Sequence, residues 1–199
     1  MDDKLCWKHH IAHCKSKLLS GLYAINKIKS FVPIDALLNL YYTLVYPHLL
    51  YGIILWGSTY NVYLNNLFLT QKRIIRAICN TPRLEHTLPL FSNLRLLTLR
   101  DIYYRECAKY MYNYTRGSLP SSLHNTFIDG NSVHNYETRN AAQIRSYRIR
   151  TTKTANSLLM QGPKIWNEIP SDIQTKPNLN SFSSSLKRHI LQGYAAAEH

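Results

Sequence analysis

Cysteine and histidine residues crowd the start of the sequence, where Cys6, His9, His10, His13 and Cys14 share one short segment. At helical spacing, thiolates and imidazoles on one face can bind zinc. The segment has no CxxC pair, however, and a structural zinc site usually brings together two distant ligand pairs. The pattern therefore favours a basic, solvated helix face, and no metal ligand is assigned.

Motifs that carry catalytic chemistry are not found in the sequence. It has no GxSxG, no HExxH and no phosphate loop of the GxxxxGK[ST] type. Acidic residues are scarce, at 11 against 24 basic ones, whereas a metal site for phosphoryl transfer needs several separated carboxylates brought together. We therefore expect no catalytic residue and no cofactor in this chain alone.

Basic residues are the strongest chemical signal. The net charge of +13 favours a polyanionic partner, with nucleic acid first and an anionic membrane surface second. Tyrosines interleaved with the cations could stack on bases, although simple surface solvation is the alternative. The candidate nucleic-acid-binding residues are Lys17, Lys27, Lys72, Arg73, Arg76, Arg139, Arg145, Arg148, Arg150 and Lys153.

The first of these cations are placed by an amphipathic helix predicted over 11–31. Ile11, Leu18, Leu22 and Ile25 fall within a narrow arc at 100° per residue, and basic residues lie opposite them. Pro33 ends this helix and suits the first turn of the next one, where Asp35 would face the positive end of the helix dipole.

The span 37–56 is uncharged and long enough to suggest a transmembrane helix, which needs about 20 apolar residues. Its tyrosines, Asn39, Thr43 and His48 argue against that interpretation, and Pro47 removes a backbone donor in mid-span. We predict instead a helix buried on most sides that bends near Pro47.

The third helix has the clearest pattern. One face of 64–78 carries Leu64, Leu67, Phe68, Ile74, Ile75 and Ile78. A separate face carries Lys72, Arg73 and Arg76, outward and together. Asn80 and Pro82 end the helix. Three helices with short connections predict a helical bundle as the first domain, 1–81.

The region 82–194 is predicted as a second, partly irregular and partly helical domain, followed by a tail at 195–199. A helix is expected at about 101–116, with Asp101 as its N-cap and Gly117 after its end. The stretch 124–140 predicts a loop within a basic region at about 134–155. There, 146–154 alternates in polarity and predicts a short strand. A last helix is expected at about 180–192, and the fold class is mainly α.

Segments along nearly the whole chain carry a family resemblance in their order and spacing. They are DDKLCWKHHI (2–11), LYAINKIKSFVP (22–33), LYYTLVYPHLLYGIILWG (40–57), LFLTQKRIIRAIC (67–79), DIYYRECAKYMYNYTRGSLP (101–120), HNYETR (134–139), QGPKIWNEIP (161–170) and SFSSSLKRHI (181–190). The chain resembles the C-terminal part of the reverse transcriptases of non-LTR (LINE-type, jockey-like) retrotransposons.

The resemblance implies that the three helices form the thumb of an RNA-directed DNA polymerase and that the remainder is its C-terminal extension. The sequence contains no YxDD tetrapeptide, the catalytic loop of that family. The palm and fingers are also expected to be missing, so the chain would be a truncated copy or an excised fragment, inactive alone. The family's Mg²⁺ would belong to the missing palm.

The implied partners are an RNA template, an RNA–DNA hybrid or target DNA, together with the palm and fingers, and no membrane. The expected location is intracellular, in the nucleus or cytoplasm. A domesticated fragment that binds protein through its tyrosines is the alternative function.

Overall fold

The computed structural model describes residues 6–129, 144–145 and 151–196. The described chain is mainly helical, as predicted. It divides into two compact units, one made of Met1–Tyr103 with Ile190–His199 and one made of Tyr104–His189. The predicted division at residue 81 concerns polymerase domains and stays a prediction.

The first unit is built around three helical segments. The first is α1 (Lys8–Ile28). The second contains α2 (Ile34–Leu40), a π-helical turn (Tyr41–Val45), α3 (Tyr46–Leu50) and α4 (Ile53–Trp56). The third is α5 (Asn61–Cys79), which packs along α1. This unit also contains α6 (Thr87–Asn93) and the beginning of α7 (Leu99–Thr115).

The first two segments form an antiparallel pair. Thr59 donates a hydrogen bond to the Cys6 carbonyl at 3.2 Å, and the His10 and Trp56 ring centroids are 5.5 Å apart. Further along α1, a Cβ added at Gly21 would lie 2.8 Å from Cγ2 of Val45. The missing side chain of Gly21 therefore leaves the space that the Val45 side chain occupies.

The second segment is interrupted at Pro47, close to the predicted bend. The Tyr46 N–H bonds to the Tyr41 carbonyl, five residues earlier, just before the proline that has no N–H to donate. The prediction of burial on most sides is wrong. Tyr41, Val45 and Leu49 are buried, whereas Tyr51 and Leu55 are exposed, because each helix of a small bundle covers only one stripe. Across the part of the chain that is described, no helix has both the length and the apolarity to span a membrane.

Helix α7 begins at Leu99 with Thr98 as its N-cap, and the prediction of Asp101 as the N-cap is wrong. The Thr98 hydroxyl accepts the Asp101 N–H at 3.3 Å and also donates to the Asp101 carboxylate. The threonine side chain therefore caps the helix, while its own backbone N–H is bonded to the Tyr194 hydroxyl at 3.0 Å. Gly117 lies beyond the end of the helix with φ of 63°, as its predicted role requires.

In its described residues, the second unit contains most of α7, a 3₁₀ turn (Ser121–Leu123), two short strands and four further helices or parts of helices. The strands are β1 (Ile128–Asp129) and β2 (Ile144–Arg145), which pair antiparallel. The helices are α8 (Thr152–Ala155), α9 (Leu158–Glu168), α10 (Ser171–Gln174) and α11 (Leu179–Ala196), whose last turns belong to the first unit.

Three predictions for the second half of the chain need correction. The stretch predicted as a loop contains β1, because pairing with β2 stabilises it. The strand predicted at 146–154 is helical where it is described, since Thr151 accepts the Thr154 N–H at 3.3 Å and caps α8. Residues 146–150 lie outside the described part. The last helix, expected at about 180–192, runs on through Ala196, into residues assigned to the tail.

An aromatic core holds the second unit together. The Tyr112 and Phe182 ring centroids are 4.6 Å apart, and Trp166 lies 6.0 Å from Phe182. The Tyr112 hydroxyl donates to the Lys176 carbonyl at 2.7 Å. Burying the ring while its hydroxyl is bonded is the favourable arrangement for tyrosine.

Buried tyrosines in the first unit make its stability sensitive to alkaline pH. Burial raises the pKa of Tyr41 and of Tyr194, and for Tyr194 the Asp101 carboxylate raises it further. The unfolded chain loses these protons at the ordinary pKa of about 10, while the folded chain keeps them. The free energy of unfolding should therefore fall above about pH 10, by about 1.4 kcal/mol per pH unit for each tyrosine.

Urea unfolding at a series of alkaline pH values measures this dependence. The same series on a Tyr41→Phe/Tyr194→Phe variant is the control, and its pH dependence should be shallower. Equal pH dependence in the two proteins would show that these hydroxyls are not the groups that titrate.

Candidate nucleic-acid interface

Helix α5 presents the candidate interface, and its buried side was predicted correctly. Leu64, Leu67, Ile74, Ile75 and Ile78 are buried, and Phe68 is half-buried. Asn80 ends the helix in the left-handed conformation, with φ of 50°. An asparagine tolerates that conformation better than most residues. The prediction that Asn80 ends this helix is therefore confirmed.

The three cations of α5 differ in their surroundings. Arg73 is exposed, whereas Lys72 and Arg76 are half-buried. The Lys72 ammonium lies 4.5 Å from the Phe68 ring centroid, within cation–π range. The expectation that all three project freely from the surface is therefore met only by Arg73.

Arg76 holds the connection that follows α5. Its Nε and Nη2 atoms donate to the Glu85 carbonyl at 2.9 and 2.7 Å. A guanidinium has five N–H donors, so Arg76 keeps donors and its full charge for a phosphate. Its replacement would also loosen this connection, which makes Lys72 and Arg73 the cleaner targets for mutation.

The predicted cations of α1, Lys17 and Lys27, are both exposed. The Lys27 ammonium lies 5.5 Å from the ring centroid of Tyr23, one turn earlier on the same helix. Because α1 packs along α5, the fold brings the two cation-bearing helices side by side.

Charge in the described part of the first unit is strongly unbalanced. Its carboxylates are Asp35, Glu85 and Asp101. Its cations are Lys8, Lys15, Lys17, Lys27, Lys29, Lys72, Arg73, Arg76, Arg83, Arg95 and Arg100. Among the residues described there, no ion pair neutralises these cations; the ion pairs seen, Arg105–Glu106 and Lys109–Glu106, belong to the second unit. A field of this sign attracts phosphates.

The remaining predicted cations cannot be placed in a site. Arg139, Arg148 and Arg150 lie outside the described residues. Arg145 is in β2 and Lys153 is in α8, and the description of both is limited to the backbone. Their role in binding stays a prediction.

The histidines at the start of α1 have a structural environment. The His10 ring lies 5.9 Å from Trp7 and 5.5 Å from Trp56, and its Nε2 atom is 3.4 Å from Cys14 Sγ. Burial lowers the pKa of His10, with a smaller effect from His13, and burial raises the pKa of the Cys14 thiol. His10 therefore packs against neighbours of its own unit. Within the described ranges, no group of three His, Cys, Asp or Glu residues is close enough to hold a metal ion.

Sequence reasoning missed two residues that matter for the site. Gln71 is on α5 but is fully buried, and it was not distinguished from its exposed neighbours. Tyr23 is exposed beside Lys27. The available signal was its four-residue spacing from that lysine, which places both on one helix face.

Comparisons with known proteins add no assignment. No protein-family description, curated protein or solved structure matches the chain significantly.

Proposed function

We propose that this chain binds nucleic acid without reading its sequence, as the thumb and C-terminal part of a non-LTR retrotransposon reverse transcriptase. The observation that carries the proposal is the row of cations on α5, which no carboxylate of the described chain neutralises. The ordered resemblance in sequence and the helical first unit support the same assignment.

In the proposed mechanism, α5 lies along a template–primer duplex and its cations contact the phosphates. Such contacts hold a duplex in register but carry no sequence information. An RNA–DNA hybrid is close to A-form, and its wide, shallow minor groove favours recognition through shape and backbone. Lys72 and Arg73 would contact the phosphates directly. Arg76 would add positive charge while it stays bonded to the Glu85 carbonyl in the connection after α5.

Polymerase chemistry is assigned in this proposal to the palm of the parent enzyme, with its Mg²⁺. The carboxylates of the described chain are not clustered as a Mg²⁺ site requires. We therefore derive no catalytic step for these residues, and their task is to position the nucleic acid.

The test is the salt dependence of binding to an RNA–DNA hybrid. The logarithm of the binding constant falls linearly with the logarithm of the salt concentration, and each lost phosphate contact makes this fall shallower by about 0.9. A Lys72→Ala/Arg73→Ala variant should therefore bind more weakly and show a slope flatter by about two units or fewer. Fluorescence anisotropy of a labelled hybrid measures both quantities.

Arg100→Ala is the control, because Arg100 is an exposed cation of the same unit that lies on α7. It removes charge from the unit without touching α5, and it should leave most of the slope intact. If the double variant keeps the wild-type slope, α5 is not the phosphate-binding face.

The alternative function, a module that binds protein, is favoured by a different observation. Large apolar side chains are exposed in the first unit, including Leu84 at 95% and Tyr51 at 76%. A protein interface built on them would form with little dependence on salt, whereas phosphate binding weakens steeply. The salt titration therefore separates the two functions.

A further inference from the structure

The outer face of α1 carries an aromatic ring that the bundle does not use. Tyr23 is 66% exposed, although the large apolar ring of a tyrosine is usually packed at least partly against other side chains. Lys27, one turn later, brings its ammonium to 5.5 Å from the ring centroid. Four residues further, in the turn that closes the helix, Phe31 is 84% exposed.

An exposed aromatic ring next to a lysine matches the chemistry of an unpaired nucleotide. Proteins bind single strands by stacking bases on aromatic side chains while nearby cations contact the backbone. The bases of a duplex are already stacked on each other, so they have no free face to stack on an aromatic side chain. The excess of cations over carboxylates in this unit makes a polyanionic strand the favoured occupant.

We infer that the exposed surface formed by Tyr23 and Lys27 of α1 and by Phe31 in the turn after it binds single-stranded nucleic acid, with bases stacked on the rings and a phosphate held by Lys27. The inference rests on the proposed function, since it gives the unpaired template its own site beside the duplex-binding helix α5.

The test compares two labelled probes of equal length, an unstructured oligouridine and an RNA–DNA hybrid. Tyr23→Ala should weaken binding of the oligouridine by about ten-fold, because stacking on one aromatic side chain is worth this much. Binding of the hybrid should stay within about two-fold, since duplex contacts are made to phosphates. Tyr23→Phe keeps the ring and should restore oligouridine binding.

Tyr51→Ala is the matched control, because Tyr51 is comparably exposed, at 76%, and none of the described cations lies over its ring. Its hydrogen bond to Trp56 uses the backbone carbonyl and survives the substitution. The inference is overturned if Tyr23→Ala leaves oligouridine binding unchanged, if Tyr51→Ala has the same effect, or if Tyr23→Ala weakens the hybrid equally.

The two proposals fail in different ways. If Tyr23→Ala has its selective effect while Lys72→Ala/Arg73→Ala leaves the hybrid unaffected, the α1 site stands and the thumb assignment falls. If the hybrid responds to the α5 variant but the oligouridine does not respond to Tyr23→Ala, the α1 site falls alone. A Tyr23→Ala effect seen on anionic phospholipid vesicles and not on oligouridine would assign this face to a membrane and overturn the inference.

Discussion

Replacing Gln71 by leucine is expected to lower the free energy of unfolding by about 3 kcal/mol. Gln71 is fully buried. Its Nε2 donates to the Tyr41 hydroxyl and to the Leu97 carbonyl, both at 3.0 Å, and its Oε1 accepts the Leu99 N–H at 2.9 Å.

The size of the effect follows from what the leucine would leave behind. Leu99 is the first residue of α7, and its N–H is one of the helix-start donors that have no partner inside the helix. Gln71 supplies that partner from α5. A leucine would leave the N–H and a carbonyl without this bond in the interior, and each buried group left unsatisfied costs about 1–3 kcal/mol.

Urea unfolding followed by circular dichroism measures the change. Asn65→Leu is the matched control, because Asn65 is exposed on the same helix, and it should change stability by less than about 0.5 kcal/mol. A double-mutant cycle with Tyr41→Phe isolates the bond between the two side chains. Equal stability of the Gln71→Leu and Asn65→Leu proteins would show that this network does not hold the unit together.

Tyr194→Phe is expected to cost about 2 kcal/mol, although the change removes a single oxygen near the end of the chain. The Tyr194 hydroxyl accepts the Thr98 N–H at 3.0 Å and donates to the Asp101 carboxylate. Hydrogen bonds to a charged group are stronger than those between neutral groups. Without the hydroxyl, the buried Thr98 amide loses this partner and the carboxylate loses a donor.

Truncation after Gly193 should cost more than Tyr194→Phe, because the buried ring is lost as well. Thermal unfolding of both variants tests this order. Tyr51→Phe removes an exposed hydroxyl and should be nearly neutral. A truncated chain as stable as the full one would mean that the last turns of α11 do not support the first unit.

Helix faces were predictable because burial alone decides them. Period-3.6 spacing identified most of the apolar residues buried on α1 and α5, although Leu22 and Phe68 are only half-buried. Asn80 and Gly117 marked helix ends through backbone geometry that depends on one residue, whereas α1 ends at Ile28 and Pro33 is the N-cap of α2. The outward direction of Arg73 follows from the same periodicity.

Features that depend on partners distant in sequence could not be predicted. Gln71 is a polar residue whose burial is explained only by Tyr41, Leu97 and Leu99, none of which is a near neighbour in sequence. Tyr194 likewise is bonded to residues almost a hundred positions away. The two-residue strands β1 and β2 are stabilised only by each other, so local alternation placed a strand in the wrong stretch.

The site was predicted at the level of helix faces but not of individual contacts. Nothing local in sequence shows that Arg76 bonds to the Glu85 carbonyl, because the path of the connection after α5 decides it. The cation–π contact of Lys72 with Phe68 is an i to i+4 pair, which the spacing permits but does not require.

Amine footprinting in the presence of an RNA–DNA hybrid tests the central claim most directly, since it shows which lysines the nucleic acid covers. We predict that the hybrid protects Lys72 and Lys17 from acetylation at low salt, that added salt removes the protection, and that the exposed Lys164 of α9 stays reactive throughout. Full reactivity of Lys72 and Lys17 in saturating hybrid would contradict the account.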